Sequence, residues 1–338
     1  MPLLKRLFST KPQTSDAPTS ASSASEPARP TSRVSIDPAA LMKIKNLELR
    51  AKAVVDGYLT GIHRSPYHGF SVEFTDYRQY TPGDDVRFLD WKLYARQDRY
   101  YIKRFEDETN LRCYLVADLS ASMEFGSQGY TKADYARTAL ATLAFFLAQQ
   151  RDAVGLLTFD ETIGEYLPPR YRPGHLRRLM LGLERATSGK RTDIAPPLQQ
   201  ITNLARRRGL VVLVSDLLSP LDGLKQQLGF LRSQGQEIVI LRVLDPAEID
   251  FTFEDAKIFQ DMESGKRLFV DPEAVRKSYL RNFNNHAEAL DELCREQGVD
   301  LITMPTDRPL DETLLEFVKV RSGKLVKTRR RTSTGGTA

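Results

Sequence analysis

A chain of 338 residues, 41% hydrophobic and 28% charged, has the composition of a soluble globular protein and length for about two domains. Its two cysteines, Cys113 and Cys294, exclude a disulfide framework or a cysteine-based zinc site, and no apolar run approaches the ~18 residues that span a bilayer. The formal charge of +5 sits at one end: seven basic residues and no acid follow from Lys319 onward, so residues 1–318 sum to about −2.

Such a basic tail attracts polyanions without specificity. No zinc-finger, helix-turn-helix or RNA-binding aromatic signature accompanies it, so specific nucleic-acid recognition is not expected.

The apolar part of MPLLKRLFSTKP is too short, and too interrupted by Lys5 and Arg6, for a signal peptide. Together with two reduced thiols this sets a cytoplasmic expectation. The Ser/Thr/Ala/Pro-rich run that follows makes residues 1–36 a disordered tether. Leu3, Leu4, Leu7 and Phe8 are its features for membrane-surface or partner contact, against the plainer reading of a solvated tail. Residues 37–109 read as a smaller, β-containing N-terminal subdomain, in which Tyr100–Phe105 is extended.

From Leu111 the chain alternates strands and helices. The expected strands are Leu111–Asp118, Ala153–Phe159, Ile163–Pro168 at an edge, Leu210–Ser215, Glu237–Leu244 and Asp300–Met304. The expected helices are Lys132–Gln150 with Thr131 as N-cap, Gly174–Thr187, Ile194–Arg208, Leu221–Gln234, Pro272–Gln297 and Leu310–Arg321. This pattern predicts an α/β, doubly wound, mainly parallel sheet over residues 110–322. A hairpin insertion is expected at about 249–272, either covering the sheet edge or forming a docking ledge, and residues 323–338 form a basic disordered tail.

The apolar run LRCYLVAD stops at Asp118 and is followed by Ser120 and Ser122. Three oxygen side chains then meet at the carboxyl end of a buried strand, where open α/β sheets bind their ligands. Oxygen-only donors suit a hard cation such as Mg2+. The run LVVLVS ends in Asp216 on the same sheet edge, and KRTDI places Thr192 in a loop just ahead of a helix.

The set Asp118, Ser120, Ser122, Thr192, Asp216 resembles the metal-ion-dependent adhesion site of von Willebrand factor A domains. That resemblance implies that Ser120 and Ser122 ligate Mg2+ (or Mn2+ or Ca2+) directly, that Thr192 joins when a partner is bound, and that Asp118 and Asp216 act largely through water. It also implies a protein partner whose Asp or Glu completes the metal shell. Leu217 stands where the family often has glycine.

Upstream, charges and aromatics cluster: Asp84, Asp85, Arg87, Asp90, Trp91, Arg96 and Glu106. No His or Cys sits among them as base or nucleophile, and His63, His68, His175 and His286 have no metal-ligand spacing. The reading is a structural clamp of ion pairs around Trp91. The pattern Arg-x-Tyr-x-Pro-Gly-Asp-Asp-x-Arg…Asp-Trp…Ala-Arg at Arg78–Arg96, ahead of the Asp118 motif, resembles the bacterial domain of unknown function 58 family. The resemblance spans about residues 40–325 and implies a von Willebrand factor A-like adaptor or co-chaperone working with a MoxR-type AAA+ ATPase. Two alternatives stand beside it: a metal-independent scaffold, and a metal-dependent phosphohydrolase using Asp118 as nucleophile, although Ser120 replaces the second acid of an Asp-x-Asp phosphatase signature.

Overall fold

In a computed structural model, residues 35–63, 76–81, 94, 100–104, 111–160, 162–185, 194–205, 207–253, 257–260 and 267–333 are described. In chain order the first elements are α1 (Pro38–Met42), α2 (Leu47–His63), β1 (Asp76–Gln79), β2 (Tyr101–Arg104), β3 (Arg112–Asp118), α3 (Lys132–Gln149), β4 (Ala153–Phe159), β5 (Ile163–Arg170), α4 (His175–Leu183) and α5 (Ala195–Leu204). The chain continues through β6 (Leu210–Ser215), α6 (Asp222–Ser233), β7 (Glu237–Leu244), α7 (Pro246–Asp250), β8 (Lys257–Gln260), β9 (Arg267–Val270), α8 (Pro272–Gln297), β10 (Asp300–Pro305) and α9 (Leu310–Ser333).

The main sheet has six strands in the order β10-β7-β6-β3-β4-β5. All neighbours run parallel except β5, which closes one edge antiparallel to β4. Strands buried on both faces need apolar side chains on both, which is why β3, β6 and β7 read as continuous apolar runs rather than alternations. Alternation reappears in where the side chains go. Cys113, Leu115 and Ala117 of β3 face one core with α1, α2, α3, α4 and α9. Tyr114 and Val116 face another with α5, α6 and α8. The chain is thus α/β with helices on both sheet faces.

Helix α3 is apolar around most of its circumference because it is covered on both sides. The sheet lies beneath it, and α2 packs outside with Ala51, Val54, Val55 and Tyr58 in the same core. Tyr58 meets Phe146 edge to face at 5.9 Å between ring centroids. Arg50 of α2 fixes the α1–α2 corner, donating from Nη2 to the Met42 carbonyl at 3.1 Å and from Nε to that of Ile44. Leu41, Leu47, Ala51, Val54, Val55 and Tyr58 therefore share the sheet domain's core, through helices the sequence reading had not singled out. Strands β1 and β2 form a separate antiparallel pair.

Two boundaries differ from expectation. The last helix does not stop at Arg321 but continues to Ser333. Beyond Gly323 the run holds no further glycine or proline up to Ser333, and Lys and Arg are good helix formers. The insertion is a hairpin as expected, β8 pairing antiparallel with β9, but it follows the one-turn helix α7, capped by Asp245.

Candidate functional site

The connection from β3 goes to β4 and β5 on one side, then returns across β3 to β6, β7 and β10 on the other. The order of strands therefore reverses between β3 and β6, and the loops leaving their carboxyl ends diverge there, opening a crevice. The register pairs Ala117 with Val214, which sets Asp118 beside Ser215. Both oxygens of Asp118 are engaged: Oδ1 accepts the Ser120 N–H at 3.0 Å, and Oδ2 accepts the Ser215 hydroxyl at 2.5 Å. Asp118 as a whole is 1% exposed. Burial, and then the negative Asp216, push its pKa up to about 6 from 3.8, against the lowering effect of its Ser215 and Ser120 hydrogen bonds.

Beyond Asp118 the chain makes one 3-10 turn, Ala121–Glu124, entered from Ser120 in extended backbone. That turn brings Ser122 back over Ser120, and their Oγ atoms lie 3.1 Å apart. Adjacent ligands on a Mg2+ octahedron with bonds of ~2.1 Å stand about 3 Å apart, so the two hydroxyls already have the spacing of neighbouring ligands on one ion. Without an ion they form a hydrogen-bonded pair at the same distance. Among the described residues no three His, Cys, Asp or Glu side chains gather at metal-ligand distances; the donors here are hydroxyls backed by carboxylates, a set that fits a hard cation.

Asp216 is held by residues that the sequence reading missed. Its Oδ2 accepts from Lys132 Nζ at 2.8 Å, and the same ammonium reaches Glu248 Oε1 at 2.7 Å. Asp216 Oδ1 accepts the Leu218 N–H at 3.3 Å, and the Asp216 carbonyl accepts Arg242 Nε at 3.2 Å. Lys132 is 0% exposed. Burial would push its pKa down, but Asp216 and Glu248 together hold it above the usual lysine range; burial raises Glu248 despite its lysine partner. Burial lowers Arg242, whose guanidinium lies over the Phe283 ring at 5.4 Å.

Leu217 takes the left-handed conformation, φ 52°, that a glycine would adopt at lower cost. Its side chain is buried at 1% exposure, and His286 Nε2 lies 2.7 Å from its carbonyl oxygen. Leucine is held in this turn by His286 and by the core that it shares with Leu290 of α8.

The structure thus brings Asp118, Ser120, Ser122 and Asp216 to one sheet edge. Thr192 lies outside the described residues, in the segment 186–193, as do Asp84, Asp85, Arg87, Asp90, Trp91, Arg96 and Glu106. Ser215, Lys132, Glu248 and Arg242 carried faint signals in the sequence. A lysine directly after the Thr131 cap of an otherwise apolar helix was one, and the Asp-Pro-Ala-Glu capping box at Asp245–Glu248 another.

The chain is 29% identical over 290 residues to Uncharacterized protein Rv1480 of Mycobacterium tuberculosis, covering 84% of this chain and 90% of that one. Uncharacterized protein Mb1516 of Mycobacterium bovis matches with the same identity and coverage. Among solved structures the chain is similar to BatB from Bacteroides thetaiotaomicron, at TM-score 0.43 and 12% identity over 63% of this chain and 99% of that one. It is also similar to the SpRpn10 VWA domain, at TM-score 0.37 and 11% identity over 61% and 94%. Likeness at these scores adds nothing to the strand order already seen. The model of the family described as protein of unknown function DUF58 matches residues 76–289, more than half of the sequence, and the chain belongs to that family.

Proposed function

We propose that the protein is a Mg2+-dependent protein-interaction module, in which the ion is a recognition element and not a Lewis acid. Ser120 and Ser122 would hold the ion, Asp118 and Asp216 would anchor it electrostatically, and Thr192 would join when a partner binds. The ion supplies a charged position that an Asp or Glu of the partner can occupy. The observation that carries this reading is the pair of hydroxyls 3.1 Å apart beside the buried Asp118, at the strand-order reversal where such sheets bind ligands. A MoxR-type AAA+ ATPase in the cytoplasm is the partner that the family resemblance favours.

We do not read Asp118 as a phosphoryl-accepting nucleophile, because Ser120 stands two residues on where that chemistry places a second acid. The metal-independent scaffold has one observation in its favour: Lys132 already places a cation on Asp216. Thermal melts of the chelator-stripped full chain with increasing MgCl2 separate the two. The module reading expects a rise in melting temperature that Ser120→Ala/Ser122→Ala abolishes with the far-ultraviolet spectrum unchanged, and weaker capture of an Asp-containing peptide by Thr192→Ala. Equal peptide binding in Mg2+ and in chelator would leave the scaffold.

A further inference from the structure

Lys132 occupies a place that local physical chemistry disfavours. It is the first residue of α3, directly after the Thr131 capping box, where the positive end of the helix dipole repels a cation. It is also fully buried, and an ammonium taken out of water loses hydration that only close carboxylates can replace. Those carboxylates come from distant parts of the chain, Asp216 from the turn after β6 and Glu248 from α7. No packing argument needs a lysine here, since Ala133, Tyr135 and Ala136 beside it already serve the core.

The consequence falls on the metal site. Asp216 has one oxygen on Lys132 and the other on the Leu218 N–H, so its charge is already answered by a cation built into the fold. Around the site, three buried or mostly buried carboxylates (Asp118, Asp216, Glu248) face two cations, Lys132 and Arg242. A divalent ion arriving there meets less unanswered negative charge than two bare aspartates would offer, and it is repelled by the resident ammonium.

We infer that Lys132 is a positioning residue that keeps divalent-ion binding weak in the free protein, so that firm retention of the ion waits for the carboxylate of a partner. This rests on the metal reading above and adds to it the reason for the partner's part: the fold withholds one unit of negative charge, which the partner supplies.

The test uses the full chain, stripped with chelator, and Mn2+ alone as probe, measured by calorimetry and by the paramagnetic signal of free Mn2+. Lys132→Met alone leaves two buried carboxylates unpaired and is at risk of not folding. The informative variant is therefore Lys132→Met/Glu248→Gln, which removes one cation and one anion together and keeps Asp216 free to face the ion. This variant is expected to bind Mn2+ at least tenfold more tightly than the wild type, while Lys132→Arg, which keeps the charge, stays within threefold of it. Adding Ser120→Ala/Ser122→Ala to the double variant should abolish the gain.

Wild-type binding that the double variant leaves unchanged or weakens overturns the role of Lys132 while the metal reading stands. Tight binding that survives loss of both serines places the ion elsewhere and overturns the inference. Silence of the wild type and of every variant at millimolar Mn2+ overturns the metal reading and this inference with it. A response seen only in the double variant supports the inference, with Lys132 as the dominant cation of the site.

Discussion

Replacing Asp118 by Asn separates its electrostatic role from its structural one. The carboxyl is pushed by burial and by Asp216 from 3.8 to about 6, and each unit is worth ~1.4 kcal/mol. Holding Asp118 ionised at pH 8 without a metal therefore costs about 3 kcal/mol. Asparagine keeps the shape and the acceptor for the Ser120 N–H, which lies 3.0 Å away. Its amide must then donate to Ser215 Oγ, which already accepts the Leu217 N–H at 3.1 Å, so the serine proton loses its acceptor at ~1–2 kcal/mol. The balance makes Asp118→Asn more stable than wild type by about 1–2 kcal/mol at pH 8 in chelator.

The sign follows from linkage: the folded-state pKa is the higher one, the native protein holds the proton between the two values, and wild-type stability falls as pH rises from about 4 through about 6. Below pH 4 the advantage of the variant disappears. Urea unfolding at pH 4 and pH 8, in chelator and in millimolar MgCl2, measures all of this. Stabilisation by Mg2+ should be lost in the variant. A variant that is destabilised at pH 8 would refute the strained-carboxylate account, and one that keeps the full Mg2+ response would refute the anchoring role of Asp118.

Two further predictions concern residues around the site and the core. The thiols of Cys113 and Cys294 are both buried and pushed by burial up to about 12, so a disulfide reagent at pH 8 should titrate neither in the native protein and both in denaturant; rapid native reaction of either would contradict the packing described. Leu217→Gly relieves a left-handed φ worth ~1 kcal/mol but removes a side chain that is 1% exposed, worth at least 1.5–3 kcal/mol. A net loss of about 1–2 kcal/mol in urea unfolding is expected, and a more stable variant would show that the leucine is retained for neither packing nor turn shape.

What could be read from the sequence was whatever depends on neighbours along the chain. Helix α8 runs over Pro272–Gln297 as expected because its ends are written locally: Asp271 caps it, Pro272 opens it, and Gly298 closes it in the left-handed conformation at φ 65°. The strands β3, β6 and β7 announce themselves because both faces are buried, and the positions of Asp118 and Asp216 follow once those strands share a sheet. Lys132 did not announce its role, because its partners lie 84 and 116 residues further on and residue type alone does not say which acid a lysine will meet. Helix α2 was hidden for the same reason: its apolar face makes sense only against the outer face of α3.

The places where the chain departs from local preference gather at one spot. A lysine buried at a helix start, a leucine forced to φ 52°, two aspartates close enough to raise the pKa of one, and an arginine whose Nη2 is buried without a hydrogen bond among the described residues all surround the carboxyl ends of β3 and β6. Most of the surrounding elements obey simple rules, with apolar strands, capped helices and cores on both faces. Buried ion pairs are weak contributors to stability, and well-packed apolar residues of similar volume often do as well or better. A fold under selection for stability alone has no reason to concentrate these costs where loops diverge and a ligand can enter. Their convergence on Asp216, which touches Lys132 through its side chain and Arg242 through its carbonyl, is what a binding centre built around a controlled charge requires.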